Sequence, residues 1–107
     1  MDLKKCIEAC QRCAVACETC ITKMVDMGGD SACIEHCRDC VAMCQLCAMA
    51  AARESNALEK FCKLCAELCE TCAQTCGDME HEHCQECAKA CRECMDVCQQ
   101  TATSCCG

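Results

Sequence analysis

The sequence has almost no aromatic residues and no proline. Phe61 is the single aromatic side chain, and neither Trp nor Tyr occurs among the 107 residues. Without proline, no helix has to kink or break where that residue would fall. Large apolar side chains are too few for a well-packed conventional core, because the 53% hydrophobic content comes largely from Cys, Ala and Met.

Clusters of positive charge and long apolar runs are missing as well. The formal net charge is −7, and no group of Lys and Arg side chains could neutralise nucleic-acid phosphates. No apolar stretch approaches the roughly 20 residues that span a bilayer, and the first residues, MDLKKC, lack the apolar segment of a secretory signal. We therefore expect a cytoplasmic protein that binds neither nucleic acid nor membrane. Thiols stay reduced in that compartment, so many cysteines indicate metal before disulfides.

Cysteine is the abundant residue, with 22 copies. Between Cys33 and Cys47 the cysteines follow one another at spacings of 4, 3, 4 and 3 residues, which is the a and d seam of an α-helix. The same rhythm of threes and fours occurs in four stripes of five: Cys6, Cys10, Cys13, Cys17, Cys20; Cys33, Cys37, Cys40, Cys44, Cys47; Cys62, Cys65, Cys69, Cys72, Cys76; and Cys84, Cys87, Cys91, Cys94, Cys98. The pattern predicts four helices that each turn a row of thiols inward.

Four helices are predicted at about residues 2–26, 31–53, 57–76 and 79–103. Their ends carry residues typical of helix caps and stops: Gly28 with Gly29, Asp30 or Ser31, a capping box of Asn56 and Glu59, a left-handed Gly77, and Asp78 as cap of the fourth helix. The short connections favour antiparallel neighbours. We predict an all-α protein in which residues 1–107 form one domain, an antiparallel up-down-up-down four-helix bundle with a cysteine-lined core.

Antiparallel order gives such a bundle two different ends. The ligand-rich end combines the last thiols of the stripes with soft or borderline metal ligands: Cys20, Cys33, Cys76 and Cys84 with Met24, Met27, His36, Met79, His81 and His83. The apolar end combines Cys6, Cys47, Cys62 and Cys98 with a predicted hydrophobic plug of Leu3, Leu58 and Phe61. His36 flanks its seam beside Cys37 and is predicted to bind metal. The methionines stay open between packing and ligation, and His81 and His83 between ligation and a solvated surface.

Several chemistries could use such a core. Disulfides within one helix would need distorted geometry, and disulfide scaffolds usually show irregular spacing in loop-rich chains. Five zinc ions on twenty thiolates would leave about −10 of charge in a core whose seams hold no Lys or Arg, and iron–sulfur clusters meet the same difficulty. A thiol redox enzyme needs one activated cysteine in a distinct environment. Zinc, iron–sulfur and redox proteins remain the alternatives.

Copper(I) avoids the charge problem. Each Cu⁺ replaces one thiol proton, so about one ion per cysteine leaves the core neutral, and soft thiolates select this ion. Two cysteines at i and i+4 have Cβ atoms about 5–6 Å apart and can converge on a two-coordinate ion. We therefore predict multiple Cu(I) ions per chain, bound by the twenty seam cysteines together with His36.

The four in-phase stripes and the histidine- and methionine-flanked end resemble the bacterial copper storage proteins, in particular the cytosolic type without an export signal. The resemblance covers essentially the whole chain. It implies reversible storage of many Cu(I) ions inside each preformed bundle and assembly of bundles into a homotetramer. We expect no enzymatic activity, because the sequence contains no Ser/His/Asp set, phosphate loop or paired buried carboxylates. We also expect a role in copper supply or detoxification, with a copper chaperone or an efflux system as partner. The sequence departs from the pattern in Cys105 and Cys106, which we interpret as part of a frayed end.

Overall fold

The structure is a computed structural model that describes residues 3–29 and 31–105. Four helices follow one another along the chain: α1 Lys4–Asp26, α2 Ser31–Ala52, α3 Leu58–Gly77 and α4 Glu82–Cys105. Helix α1 packs against α2 and α4, and α3 packs against the same two helices, in a body of 43 × 19 × 18 Å. The predicted all-α four-helix bundle is confirmed.

The thiol contacts show that neighbouring helices run antiparallel. Moving from Cys13 towards Cys20 along α1, the facing residue on α2 moves back from Cys40 to Cys33, with Sγ–Sγ distances of 3.6 and 4.0 Å. The interior is built almost entirely from small side chains. All twenty seam cysteines are fully buried, accompanied by alanines and by a few larger residues such as Met24 and Leu58. The predicted cysteine-lined core is therefore present.

Helix α1 ends at Asp26, just before Gly28 and Gly29, as the sequence predicted. Gly28 has a positive φ of 63°, and its N–H donates to the carbonyl of Val25 at 3.1 Å. The N–H of Gly29 donates to the carbonyl of Met24 at 2.8 Å, which completes a Schellman motif. A Cβ on Gly29 would lie 2.7 Å from Cε of Met24, so a residue without a side chain lets this methionine fold under the turn.

Helix α2 ends in the same motif without a glycine. Glu54 takes the left-handed position with a φ of 51°, and its N–H donates to the carbonyl of Ala51 at 3.1 Å. The N–H of Ser55 donates to the carbonyl of Ala50 at 2.9 Å. An acidic residue therefore occupies a conformation that normally favours glycine or asparagine.

The predicted caps of the last two helices are wrong. Helix α3 begins after Ala57 without a side-chain cap; Ser55 instead accepts a hydrogen bond on Oγ from the N–H of Ala57 at 3.1 Å. The other member of the predicted capping box, Glu59, forms an exposed ion pair with Lys63 at 3.1 Å. Gly77 is the last residue of α3 and is still helical. Among the described glycines Gly28 is the one with positive φ, so the left-handed conformation predicted for Gly77 is wrong.

The link between α3 and α4 is longer than predicted. Asp78 closes α3 instead of capping α4, which begins at Glu82 and not at about Met79. The amide Nε2 of Gln85 donates to the carbonyls of Gly77 and Met79, so a side chain satisfies carbonyls that a continuing helix would have used. The carbonyl of His81 accepts from the N–H groups of Cys84 and Gln85, each at 3.1 Å, and so starts α4. Asp30, the other predicted cap, lies outside the described residues.

Candidate metal centre

The twenty seam cysteines form five layers, each with one thiol from every helix. From the ligand-rich end to the apolar end the layers are Cys20, Cys33, Cys76, Cys84; Cys17, Cys37, Cys72, Cys87; Cys13, Cys40, Cys69, Cys91; Cys10, Cys44, Cys65, Cys94; and Cys6, Cys47, Cys62, Cys98. All twenty are free thiols with no exposed surface. The helical rise of 1.5 Å per residue separates successive layers by roughly 5 Å.

Helices α2 and α3 hold their thiols in contact in every layer. The Sγ–Sγ distances run from 3.3 Å between Cys33 and Cys76 to 3.9 Å between Cys44 and Cys65. The layers between them have distances of 3.7 and 3.6 Å, and the layer at the apolar end has 3.6 Å. The two helices therefore present a continuous double row of sulfur atoms.

Helix α4 connects this double row to α1. Its thiols contact those of α1 at 3.5 Å between Cys17 and Cys87 and at 3.8 Å between Cys20 and Cys84. They also reach diagonally across the core to α2, for example from Cys91 to Cys40 at 3.9 Å. The thiols consequently form one network through the bundle. Contacts across helices, which the spacing alone could only suggest, are at least as short as the i,i+4 contact of 4.0 Å between Cys40 and Cys44.

The network contains several sets of four sulfur atoms that could surround a metal ion. In each set all Sγ atoms lie within 4.8 Å of one another. The layer of Cys10 and the layer of Cys6 are each such a set. Sets that cross layers also occur, such as the one that joins Cys13, Cys40, Cys44 and Cys69. Because one thiol belongs to several sets, ions bound in the core would share ligands.

The electrostatics of the core restrict the charge it can hold. Among the described residues no Lys or Arg is buried, and Thr101 is the single buried polar residue. A thiolate formed here has no cation nearby to compensate it. Burial raises the pKa of the thiols of Cys20 and Cys84, and neighbouring thiols such as Cys33 raise it further. We therefore expect these thiols to be protonated and neutral in the metal-free protein at neutral pH.

The ligand-rich end places Met24 directly against the terminal layer. This methionine is only 2% exposed, and its Sδ accepts a hydrogen bond from Sγ of Cys84 at 3.7 Å. Met79 is partly buried against the core. Met27, named above among the soft ligands of this end, is 51% exposed, because α1 has already ended at Asp26. Met24 therefore brings its sulfur against a core thiol at this end.

The histidines at this end differ from one another. His81 is exposed, and its ring stacks on that of His83 with centroids 5.3 Å apart. Within the described part of the chain, the buried Nε2 of His83 has no hydrogen-bond partner. Burial and the neighbouring His81 lower the pKa of His83, so the ring is neutral near pH 7. His36, predicted to bind metal, is half-buried on α2 next to Cys37, and its ligand role stays a prediction.

His83 is the functional candidate that the sequence could not distinguish from a surface residue. It directly precedes Cys84, which is its only sequence signal, and it shares an acidic, polar segment with His81. The structure separates the two because one ring is exposed and the other turns a nitrogen into the protein. An unpartnered buried imidazole nitrogen is costly unless a ligand satisfies it.

The apolar end contains the residues of the predicted plug. Leu58 is 2% exposed, and Leu3 and Phe61 pack against the core from partly buried positions. Cys105 is the last residue of α4. Its side chain and all of Cys106 lie outside the described residues, so the predicted fraying of this end stays a prediction. None of the helices in the described part of the chain is sufficiently long and apolar to cross a membrane.

A helical bundle filled with reduced thiols in mutual contact is a soft-metal-binding protein by fold and by donor set. Comparison with known proteins specifies the class. The chain belongs to the copper storage protein family (Csp), whose sequence model matches residues 1–103. The family resemblance drawn from the cysteine stripes is thereby confirmed.

Individual relatives agree with the family assignment. The chain is 41% identical over 100 residues to the uncharacterized cysteine-rich protein YhjQ of Bacillus subtilis (strain 168), with 91% of this chain and 93% of that protein covered. It resembles the Cu(I)-bound structure of the copper storage protein BsCsp3 with a TM-score of 0.91 and 40% identity, covering 94% of this chain and 97% of that one. Apo-Csp3 from Bacillus subtilis gives a TM-score of 0.89 and 40% identity, covering 94% and 99%.

Proposed function

We propose that this chain stores many Cu(I) ions in its preformed core, bound through the twenty seam cysteines. The observation that carries the proposal is the continuous network of buried, free thiols at Sγ–Sγ distances of 3.3 to 4.0 Å. Soft thiolates of this kind select Cu(I). Similarity to a Cu(I)-bound copper storage protein supports the same choice of ion.

Charge decides between copper and the alternatives. One Cu⁺ for each thiol proton leaves the core neutral at any degree of filling. A zinc ion on four thiolates leaves two negative charges instead. Two such sites about 10 Å apart repel each other by about 7 kcal/mol at an effective dielectric constant of 20. A core that buries no Lys or Arg among its described residues can therefore hold many copper ions and few zinc ions.

Anaerobic titration with Cu(I) against a chromophoric chelator tests this function. Storage requires many tight equivalents, with a limit near one ion for each of the twenty core cysteines. A parallel titration with zinc should give fewer and weaker equivalents. One or two copper equivalents would instead indicate a thiol redox protein. Equal capacity and affinity for zinc would remove the charge argument for copper.

Cellular context extends the proposal beyond metal binding. We infer a cytoplasmic protein without enzymatic activity that exchanges copper with a chaperone or an efflux system, and the same core would serve both copper supply and detoxification. Assembly as a homotetramer follows from the family resemblance. Cell fractionation tests the location, and sedimentation velocity of the apo and copper-loaded protein tests the assembly. A monomer at micromolar concentration would contradict the tetramer and leave copper storage unaffected.

Metal uptake and release are assigned to the ligand-rich end. A bare Cu⁺ in an apolar passage is unfavourable, so a route needs weak soft ligands that bind it briefly before the thiolates do. Met24 is in contact with Cys84, and His83 offers an unpartnered nitrogen in the same part of the bundle. His36 and Met79 would assist from the neighbouring elements. The opposite end offers Leu3, Leu58 and Phe61, which have no metal-binding atoms.

A further inference from the structure

Four thiols in the middle of the bundle lie close enough together to surround one ion. They come from three helices: Cys13 and Cys17 from α1, Cys40 from α2 and Cys91 from α4. Cys13 lies 3.6 Å from Cys40 and 3.7 Å from Cys91, measured between Sγ atoms. Cys91 lies 3.8 Å from Cys17 and 3.9 Å from Cys40. All six distances are within 4.8 Å.

These distances match the edge of a tetrahedral thiolate site. A metal–sulfur bond of about 2.3 Å, as zinc forms, gives a tetrahedral edge of about 3.8 Å. The four contacts above lie close to this value without any rearrangement of the helices. We propose that Cys13, Cys17, Cys40 and Cys91 form one preorganised tetrahedral site for a soft divalent ion of the zinc class. The proposal does not depend on copper storage.

The site should hold a single ion. Each divalent ion on four thiolates leaves two negative charges, and the described core contains no buried Lys or Arg to offset a second pair. One other four-thiol set shares Cys13 and Cys40 with this one and cannot be filled together with it, whereas the layers of Cys6 and Cys10 share none of its thiols, so charge is what limits the number of divalent ions. Copper(I) leaves no net charge behind, so copper loading should displace the divalent ion instead of adding to it. The displaced ion leaves as the thiolates pass to copper, with no change of oxidation state.

Zinc itself is the probe. Reduced apo protein is titrated anaerobically with zinc against a chromophoric zinc chelator, and cobalt(II) is used in parallel because its visible spectrum reports tetrahedral thiolate coordination. We expect one tight equivalent, with the second at least about a hundredfold weaker because of charge repulsion. One equivalent of cobalt should give the spectrum of four sulfur ligands. Addition of Cu(I) should release the zinc to the chelator.

A pair of double variants locates the ion. The variant Cys17→Ala with Cys91→Ala removes two of the four ligands. It should weaken binding of the first zinc equivalent by more than about a hundredfold, because loss of a group that merely hydrogen-bonds to a metal ligand already lowers metal affinity by up to about a hundredfold. Cys62→Ala with Cys98→Ala also removes two buried thiols, but from the layer at the apolar end, and should change the affinity by less than about threefold. Circular dichroism checks that both variants are helical. Zinc-edge anomalous scattering from wild-type crystals with one equivalent places the ion even if a variant fails to fold.

Several results would overturn the site: no tight equivalent, several equal equivalents, an equal loss in the two variants, or an anomalous peak away from the four sulfur atoms. Copper titration of the wild-type protein, beside its zinc titration, separates this proposal from copper storage. A tight zinc equivalent without copper capacity would refute storage and keep the zinc site. Full copper capacity without the zinc equivalent would do the reverse.

Discussion

His83 differs from His81 and His36 because one nitrogen of its imidazole is buried and, in the described part of the chain, unsatisfied. Its Nε2 is buried without a hydrogen-bond partner among the described residues, whereas His81, stacked on it, is exposed. The two rings therefore form a matched pair for testing what a buried nitrogen contributes. The sequence presents them as equivalent, since each follows a glutamate at the start of α4.

We predict that His83→Gln slows copper loading while His81→Gln does not. Removal of an imidazole that holds the incoming ion should reduce the loading rate by about tenfold, which is the size of effect seen when a group that supports a metal site is lost. Final capacity should stay the same because all twenty core thiols remain. Anaerobic stopped-flow transfer from a Cu(I) chelator measures both quantities. Equal rates in the two variants, or a loss of capacity in His83→Gln, would show that this nitrogen has no part in uptake.

The buried thiols predict how the stability of the apo protein depends on pH. Burial raises the pKa of Cys20 and Cys84, so the folded protein keeps protons that the unfolded chain releases near the ordinary thiol value of 9.0. At these two positions the folded state then binds more protons than the unfolded state, and their contribution to the free energy of unfolding falls as pH increases. The contribution is complete below about pH 8 and declines above pH 9, by about 1.4 kcal/mol per pH unit for each such thiol.

Urea unfolding of reduced apo protein between pH 7 and pH 10 measures this decline. Copper-loaded protein is the control and should show the opposite trend up to about pH 9, because its folded core holds no thiol protons whereas the unfolded chain, which has released the copper, takes them up. An apo protein that keeps its pH 7 stability at pH 10 would mean that the folded core ionises as readily as the unfolded chain.

At the level of the helices, two similar helix ends are occupied by different residues. Gly28 and Glu54 both take the left-handed position of a Schellman motif, with φ values of 63° and 51°. Glycine adopts this conformation without strain, whereas a side chain pays about 1 kcal/mol or more. The sequence revealed the first end because glycine marks it. The second has no such mark, because glutamate is a good helix former and nothing in its identity indicates a left-handed conformation.

Substitution at these ends should therefore have opposite effects. Gly28→Ala should lower the free energy of unfolding of the apo protein by about 1 kcal/mol, and Glu54→Gly should raise it by a similar amount. Gly77→Ala is the control: Gly77 is helical, and its nearest obstacle is the mobile end of Arg92. It should leave stability unchanged or slightly improved. Chemical denaturation at neutral pH measures all three, and a destabilised Glu54→Gly would contradict the strain assigned to that turn.

For the whole molecule, the structure predicts that the bundle forms before any metal binds. Its helices contain many good helix formers, and neutral thiols pack together as small apolar groups. Circular dichroism of reduced apo protein should show a helical spectrum. Copper loading should then raise the melting temperature, because ions that bind only the folded state stabilise it. A disordered apo spectrum that becomes helical with copper would replace storage in a scaffold by metal-driven folding.

Because the two ends of the bundle differ, we predict that copper both enters and leaves through the ligand-rich end. Replacing Met24, His36 and Met79 together with leucine should slow both loading and chelator-driven removal and leave capacity nearly unchanged. Leu3→Ala with Phe61→Ala is the control at the apolar end; it should cost about 2–4 kcal/mol of stability through lost packing without slowing exchange. Unchanged rates in the first variant, or altered rates only in the second, would reverse the assignment of the two ends.

Much of this protein follows from cysteine spacing alone. Repeats of three and four residues fix one face of a helix, so the stripe from Cys33 to Cys47 had to point in one direction. Four stripes of equal length with short connections then determine an antiparallel bundle with five layers of thiols. The donor type, the neutral core and the unlike ends also follow from the sequence, because they depend only on which residues share a stripe.

Tertiary structure decided what depends on distances between helices. The diagonal contact of Cys40 with Cys91 and the tetrahedral set around it arise from the separation and rotation of α1, α2 and α4, which spacing along one helix does not specify. The amide of Gln85 donates to the carbonyls of Gly77 and Met79, which lets the chain turn between α3 and α4 before the carbonyl of His81 starts α4. At the same place in the fold His83 has a buried ring nitrogen, whereas the ring of His81 is exposed. Side chains with similar local sequence acquire different chemistry here because burial is a property of the assembled bundle.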